Sequence, residues 1–274
     1  MAIANNNGVR LHWQEQGRGS PILLVMGHSY SSALWYPILP ALTAKHRVVW
    51  FDNRGTGESD TTRQVTVPEL AADALAVMDA AGLERAHLFG ISMGGVIAIE
   101  LAHQQPRRAT SLVLGATGIL SAEKPRLPAA LRVLYYLPRW LLRLLMSGRA
   151  GDKAYGSAAT RDQIAFDRAV LAKDKSTVRG VVAQAVAVSA HYVTKETVAA
   201  LTMPALVIHG DEDGLVPVAW GAELAETLPN GRMVTMPGAG HNFMVARREQ
   251  ASAAVLDFLR GVENGIVPGS CDGG

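Results

Sequence analysis

The stretch Gly90-Ile91-Ser92-Met93-Gly94 decides the fold of this chain, because it stands where a strand-like run passes into a helix-like run. Residues 85–91 (RAHLFGI) read as a short buried strand, and residues 94–103 (GGVIAIELAH) read as a helix that starts with small residues. A serine with a glycine two positions away on each side fits a nucleophile elbow. Such a turn holds the serine oxygen above the sheet edge, close to the free N–H groups of the helix. The pattern predicts that Ser92 is a nucleophile.

Composition limits the class of protein. The chain has 274 residues, of which 49% are hydrophobic, and its net charge of +2 is too small to indicate nucleic-acid binding. Its single cysteine, Cys271, argues against a disulfide framework and a cysteine-based metal site. No apolar leader opens the sequence, and no run approaches the roughly 18 apolar residues of a membrane span. We expect a soluble, cytoplasmic protein without integral membrane association.

Strand-like and helix-like runs alternate along the chain. Helical patterns occur at 34–44, 94–103, 218–227 and 247–259, and a capping box with a proline in the first turn begins another helix at Thr66. Strand patterns occur at 9–15, 21–26, 47–52, 85–91, 109–114, 205–209 and 232–236. This alternation predicts an α/β protein with a doubly wound, mainly parallel sheet that is covered by helices on both faces.

Residues 119–200 interrupt this alternation. They contain 13 basic and 6 acidic residues, whereas the rest of the chain contains 13 basic and 18 acidic residues. They show no strong strand pattern, and residues 127–137 and 138–146 read as helices. We predict a helical cap, inserted after the sixth strand. The core then comprises residues 1–118 and 201–263, the cap residues 119–200, and a flexible tail residues 264–274.

The cap sequence has a basic stretch with no acidic residue between Glu123 and Asp152. One interpretation is a solvated arginine face opposite an apolar face, with Trp140 and Leu144, that lines a pocket for medium-sized apolar groups. The alternatives are recognition of an anionic substrate or carrier, and contact with a membrane surface. The arginines concerned are Arg126, Arg132, Arg139, Arg143 and Arg149.

Five motifs in order resemble the α/β-hydrolase family over nearly the whole chain. They are residues 23–28 (LLVMGH, with Trp35 further on), 52–59 (DNRGTGES), 90–94 (GISMG), 210–217 (GDEDGLVP) and 240–241 (GH). The resemblance implies that Ser92 is the nucleophile, Asp213 the orienting acid and His241 the general base. It also implies that the backbone N–H groups of His28 and Met93 form the oxyanion hole. No metal or other cofactor is expected.

Several neighbouring residues receive structural interpretations. The family spacing selects Asp213 as the acid, and we expect Asp211 to serve a turn and Glu212 to be solvated. His87 and His209 lie in buried strand runs and are expected to be core or edge histidines with structural roles. Here Met26-Gly27 stands where the family usually has His-Gly before the oxyanion turn, so the side chain of His28 either contacts substrate or packs against the cap. The 52–59 loop is expected to be structural, with Arg54 bracing it.

The resemblance implies a serine hydrolase that cleaves a carboxylic ester, lactone or thioester of a small, largely apolar substrate through an acyl-enzyme. Alternatives on the same triad are a C–C bond hydrolase of ring-cleavage products and a cofactor-free perhydrolase, whereas a serine at position 92 argues against dehalogenases, which carry aspartate there. A protein of another class, a small-molecule receptor with vestigial turnover, uses the same fold. The expected partner is a small-molecule substrate, with a homodimer left open and no nucleic acid.

Overall fold

The structure, a computed structural model, describes residues 2–120 and 154–265. Eight strands form one sheet. They are β1 (Ala2–Asn6), β2 (Val9–Gln16), β3 (Pro21–Val25), β4 (Arg47–Phe51), β5 (Ala86–Ile91), β6 (Ala109–Gly115), β7 (Ala205–Gly210) and β8 (Gly231–Met236). Their order in the sheet is β1-β2-β4-β3-β5-β6-β7-β8. The two pairings β1–β2 and β2–β4 are antiparallel, and all the others are parallel, which confirms the predicted mainly parallel sheet.

Helices cover both faces of this sheet. Successive residues of a strand point to opposite faces, so Leu23 and Val25 join one apolar core while Ile22 and Leu24 join another. The helices are α1 (Leu39–Thr43), α2 (Val67–Ala80), α3 (Met93–Gln104), α4 (Arg161–Leu171), α5 (Val178–Ala190), α6 (Lys195–Ala199), α7 (Val218–Thr227), α8 (Phe243–Ala246) and α9 (Arg248–Glu263). Helices α2, α3 and α7 pack into the first core, and α1, α8 and α9 into the second. The α/β fold class predicted from the alternating pattern is thereby confirmed.

The start of α2 follows the predicted capping box. The backbone N–H of Thr66 donates to Glu69 at 2.7 Å, and the backbone N–H of Glu69 donates to the Thr66 hydroxyl at 3.3 Å. The single helix expected over residues 34–44 is wrong. A 3-10 turn at Ser32–Trp35 is followed by the separate helix α1, because Pro37 has no N–H to continue a helical ladder and Pro40 begins a new first turn.

The described part of the 119–200 insertion is helical and follows β6, as expected for a cap. It contributes α4, α5 and α6. The helices expected at 127–137 and 138–146, with Trp140, Leu144 and the five arginines, lie outside the described residues, as does Cys271 in the tail. The domain boundaries therefore stay a prediction. Among residues 2–120 and 154–265, no helix is both long enough and apolar enough to cross a membrane.

Candidate active site

Ser92 occupies a strained turn between β5 and α3. Its backbone has φ 54° and ψ −120°, a conformation that is costly for a residue with a side chain. A Cβ atom on Gly90 would overlap the carbonyl oxygen of Gly94, and one on Gly94 would overlap the carbonyl oxygen of Val25. Both positions therefore require glycine, because the strand, the turn and the helix approach one another backbone to backbone. The turn holds Ser92 at the carboxyl edge of the parallel strands.

A cavity of about 220 Å³ lies over this edge, and Ser92 and His241 both line it. Most of its described wall is apolar, with Met26, Leu34, Ile91, Leu215, Met244 and Val245. A larger hollow of about 810 Å³ lies elsewhere, between residues 63–68 and α5. None of the described residues that line this larger hollow is a predicted site residue, so the smaller cavity is the candidate active site.

The structure brings Asp213 and His241 together. The Nδ1 of His241 lies 2.8 Å from the Oδ2 of Asp213, and the other oxygen of Asp213 accepts the backbone N–H groups of Leu215 at 2.8 Å and Val216 at 2.9 Å. A carboxylate can only accept, so Nδ1 of His241 carries the hydrogen and Nε2 is left free to accept a proton. Burial by itself raises the pKa of Asp213, but hydrogen bonds from His209, His241 and Val216 outweigh it and hold the pKa below its ordinary value.

A second histidine contacts the same carboxylate. His209, at the end of β7, is fully buried as predicted, and its Nε2 lies 2.9 Å from the carbonyl oxygen of Val216 and 3.2 Å from the Oδ2 of Asp213. Sequence reasoning missed this contact, because His209 lies in a strand and Asp213 in the loop after it, and a four-residue spacing indicates a side-chain contact only within a helix. Asp213 is thus held by two imidazoles and two backbone amides, which fixes the carboxylate that orients His241.

The acidic neighbours of Asp213 face away from His241. Asp211 accepts the backbone N–H of Gly238 at 2.6 Å, in agreement with its expected role in a turn. Glu212 is exposed, as expected, and its carboxylate also accepts two hydrogen bonds from Ser157, from the backbone N–H at 2.6 Å and from the hydroxyl at 2.7 Å. This contact was not predicted, because Ser157 belongs to the insertion, whose path over the core cannot be read from local sequence.

The turn after β3 passes directly beside Ser92. A Cβ atom on Gly27 would lie only 3.3 Å from the Cβ of Ser92, and His28 lines the cavity. Met93 is the first residue of α3, so its backbone N–H has no acceptor within the helix, while its side chain is buried in the core. The two residues predicted to supply the oxyanion-hole N–H groups therefore lie beside Ser92, Met93 next to it in the chain and His28 in the wall of the same cavity.

The side chain of His28 contacts the cap and also borders the cavity. Its Nε2 donates to the carbonyl oxygen of Val181, in α5, at 2.8 Å. Burial lowers the pKa of His28, and the hydrogen bond to Val181 offsets this only in part. His28 is therefore a neutral donor near pH 7. The sequence left two interpretations of the His28 side chain open, and the contact that the structure shows is the one with the cap.

The cap holds this turn at further points. Ser29 adopts a strained φ of 69°, and its backbone N–H donates to the Oε1 of Gln184 at 3.0 Å. Gln184 is fully buried, and its Nε2 donates to the carbonyl oxygen of Arg54 at 2.9 Å. The backbone N–H of Ser31 donates to Asp174 at 2.7 Å. Helix α5 and the segment before it thus fix the turn that carries the N–H of His28.

The 52–59 loop connects the core to the cap. Arg54 pairs with the buried Asp73 through two hydrogen bonds of 2.6 Å, which is the bracing expected from the sequence. Gly55 meets Gly180 of α5 backbone to backbone, and a Cβ atom on either glycine would overlap the other residue. This contact between Gly55 of the core and Gly180 of the cap, which we call the seam, therefore has no room for a side chain.

Within residues 2–120 and 154–265, no group of three or more histidine, cysteine or acidic side chains is placed to hold a metal ion.

A family model of the alpha/beta hydrolase fold matches residues 20–246. The chain therefore belongs to the α/β-hydrolase fold family. This membership confirms the resemblance drawn from the five motifs, and with it the assignment of the chain to the hydrolases of this fold.

Individual relatives are similar over almost their whole length. A protein from Caulobacter sp. strain K31, provisionally named carbamate hydrolase RutD, is 31% identical, and the match covers 88% of this chain and 90% of the relative. The pimeloyl-[acyl-carrier protein] methyl ester esterase of Aeromonas hydrophila is 28% identical over 89% of this chain and 96% of the relative. The crystal structure of an enol-lactonase from Burkholderia xenovorans LB400 has a TM-score of 0.80 and 25% identity, and covers 94% of this chain and 100% of that structure.

Proposed function

We propose that this protein is a serine hydrolase that cleaves a carboxylic ester or lactone of a small, largely apolar substrate through an acyl-enzyme. The observation that carries the proposal is that Ser92 and His241 line one cavity of about 220 Å³ while His241 is bound to the buried carboxylate of Asp213. A serine hydroxyl becomes an effective nucleophile only when a base takes its proton, and an oriented neutral imidazole supplies that base.

The reaction proceeds in two halves. The oxygen of Ser92 attacks the carbonyl carbon while the Nε2 of His241 accepts the serine proton, and Asp213 stabilises the imidazolium that forms. The backbone N–H groups of His28 and Met93 donate to the oxyanion. His241 then protonates the leaving alcohol, the acyl group stays on Ser92, and a water activated by the same imidazole releases the acid.

The substrate class rests on the cavity and on the relatives. The apolar wall and small volume suit a short acyl chain or a small ring, and the named esterase and enol-lactonase support carboxylic ester and lactone bonds. A thioester reacts by the same steps, since only the leaving group differs. We propose a small molecule as the partner and the cytoplasm as the location.

Labelling of Ser92 tests the nucleophile directly. A fluorophosphonate probe should modify the wild type at Ser92, and Ser92→Ala should lose both labelling and turnover of p-nitrophenyl butanoate, by on the order of a thousandfold or more. Ser157→Ala is the matched control, because Ser157 binds Glu212 rather than the cavity residues. Equal labelling of Ser92→Ala and wild type would overturn the assignment of the nucleophile.

Steady-state turnover separates an enzyme from a receptor on the same fold. A hydrolase should release many equivalents of p-nitrophenol per protein molecule. A single stoichiometric burst followed by arrest would instead identify a receptor with vestigial turnover. Product analysis with a C–C cleavage substrate and with peroxide as acyl acceptor tests the two alternative reactions of the triad.

A further inference from the structure

Asp167 is a buried acid in the cavity wall that the triad does not use. It lies on α4, in the cap, and has no solvent-exposed area. Among the described residues that line the cavity, Asp167 is the only aspartate, glutamate, lysine or arginine. A group of this kind needs an explanation, because an ionised carboxylate is expensive to bury.

Tyrosine hydroxyls hold this carboxylate. The hydroxyl of Tyr36 donates to Oδ1 at 2.9 Å, and that of Tyr155 donates to Oδ2 at 2.7 Å. Each oxygen therefore accepts one hydrogen bond and still has a lone pair to spare. Within residues 2–120 and 154–265, none of the ion pairs involves Asp167. Both of its oxygens act as acceptors, which is the hydrogen-bonding pattern of an ionised carboxylate.

The negative field reaches the other groups around the cavity. Burial raises the pKa of Tyr30, which also lines the cavity, and the charges of Asp167 and Asp174 raise it further. Burial and then the charge of Asp167 likewise raise the pKa of Tyr36. A charge acts on a bound molecule across such a wall without touching it, because low-dielectric walls focus the field into the cavity.

We propose that Asp167 determines the charge specificity of the cavity: it favours substrates that carry a cationic group and rejects substrates that carry a carboxylate. This inference rests on the proposed hydrolase function for its kinetic test. The proposal predicts a preference for cationic substrates, whereas recruitment by the cap arginines predicts a preference for anionic ones. One set of charged and neutral substrates therefore distinguishes the two.

Matched esters provide the test. The charged member is a choline ester, the neutral member is the isosteric 3,3-dimethylbutyl ester, and the anionic member is the 3-carboxypropyl ester of the same short acid. A second series places the three groups on the acyl chain, because the charge affects whichever end lies toward Asp167. The wild type should prefer the cationic over the anionic ester by about tenfold to a hundredfold in kcat/KM in one series, with the neutral ester between them.

Asp167→Asn should bring that ratio close to one, because asparagine keeps the size and one acceptor but removes the charge. Asp162→Asn is the matched control: it removes a charge of the same sign from the exposed first turn of α4 and should leave the ratio unchanged. A ratio near one in the wild type, or an unchanged ratio in Asp167→Asn, would overturn the proposal and leave Asp167 as a structural anchor of the cap. A preference for the anionic ester in the wild type would do the same and favour the arginines.

Binding separates this proposal from the proposed function. Methyl ketones that carry the same three groups are not hydrolysed, so calorimetry of the wild type and Asp167→Asn measures charge preference without turnover. Absence of ester turnover together with a charge-dependent affinity that Asp167→Asn abolishes would refute the hydrolase and retain the charge specificity. Turnover of all three esters at similar rates, with ketone affinities independent of charge, would refute only the role of Asp167.

Discussion

Gln184 gives the sharpest test of how the cap serves the oxyanion turn. Gln184→Met keeps the length of the side chain and removes both of its hydrogen bonds, to the N–H of Ser29 and to the carbonyl of Arg54. The carbonyl of Arg54 becomes unsatisfied in a buried place and the N–H of Ser29 in a partly buried one, at a cost of about 1–3 kcal/mol each. We therefore expect a loss of unfolding free energy of about 2–6 kcal/mol.

The same change should reduce kcat more than it raises KM. Ser29 is strained and lies next to His28, so a turn released by Gln184 relaxes away from the position in which the N–H of His28 meets the oxyanion. Complete loss of one oxyanion donor costs about a hundredfold to a thousandfold in kcat. For a displaced donor we expect about tenfold to a hundredfold, measured on p-nitrophenyl butanoate at a temperature where the variant is folded.

Thr177→Val is the matched control for a loosened cap. Thr177 caps the first turn of α5 and contacts Gly55, but it makes no hydrogen bond to the 28–31 turn. This variant should lose stability, by about 1 kcal/mol for the cap, and retain kcat. If Gln184→Met retained the kcat of the wild type while its melting temperature fell, the coupling between cap and oxyanion turn would be refuted.

Three further predictions concern Asp213, His87 and the contact between Gly55 and Gly180. Asp213→Asn should lower kcat by on the order of a thousandfold or more, because an amide has a single oxygen and cannot accept hydrogen bonds both from His241 and from the backbone N–H groups of the loop. Asp211→Asn, two positions earlier in the chain, is the control and should retain activity. Burial lowers the pKa of His87 to about 4 and outweighs the attraction of Glu263, so the unfolded chain binds the proton more readily than the folded one. The contribution of neutral His87 to the free energy of unfolding is therefore fully present above pH 6.5 and should fall by on the order of 2–3 kcal/mol between pH 6.5 and 4. Urea denaturation at a series of pH values will measure this fall. That slope should flatten in His87→Gln, and an equal slope in both proteins would contradict the explanation. Gly55→Ala should destabilise the fold by about 3 kcal/mol or more, since its backbone has φ 91° and its Cβ would overlap Gly180, whereas Gly82→Ala, at φ 64° with open space around it, should cost about 1 kcal/mol in the same denaturation assay.

Local patterns in the sequence predicted most of the core. The apolar strand runs, the capping box at Thr66 and the glycines around Ser92 depend on neighbours within a few residues, and each of these features lies where it was expected. The helix expected at 34–44 fails for a local reason too, because Pro37 has no N–H with which to continue it. The role of Asp213 beside His241 came from a family resemblance and not from local pattern.

Contacts between distant segments could not be predicted in this way. Gln184 meets Ser29 from 155 positions away, and Tyr36 meets Asp167 from 131 positions away. Nothing near Asp167 in the sequence distinguishes it from Asp162 on the same helix, although one is buried in the cavity wall and the other is on the first turn. The path of the insertion over the core decides these pairings, and that path depends on packing between surfaces that only the folded chain brings together.

The seam between Gly55 and Gly180 limits how this enzyme can be recombined with its relatives. Transplanting a cap as one piece succeeds only if both the incoming helix and the receiving loop have glycine at this point, because a methyl group on either side would separate the two backbones. A library of chimaeras should therefore keep the two glycines as a linked pair and vary the remaining cap positions around them. Substrate range can then be diversified by exchanging caps while the catalytic half of the molecule stays intact.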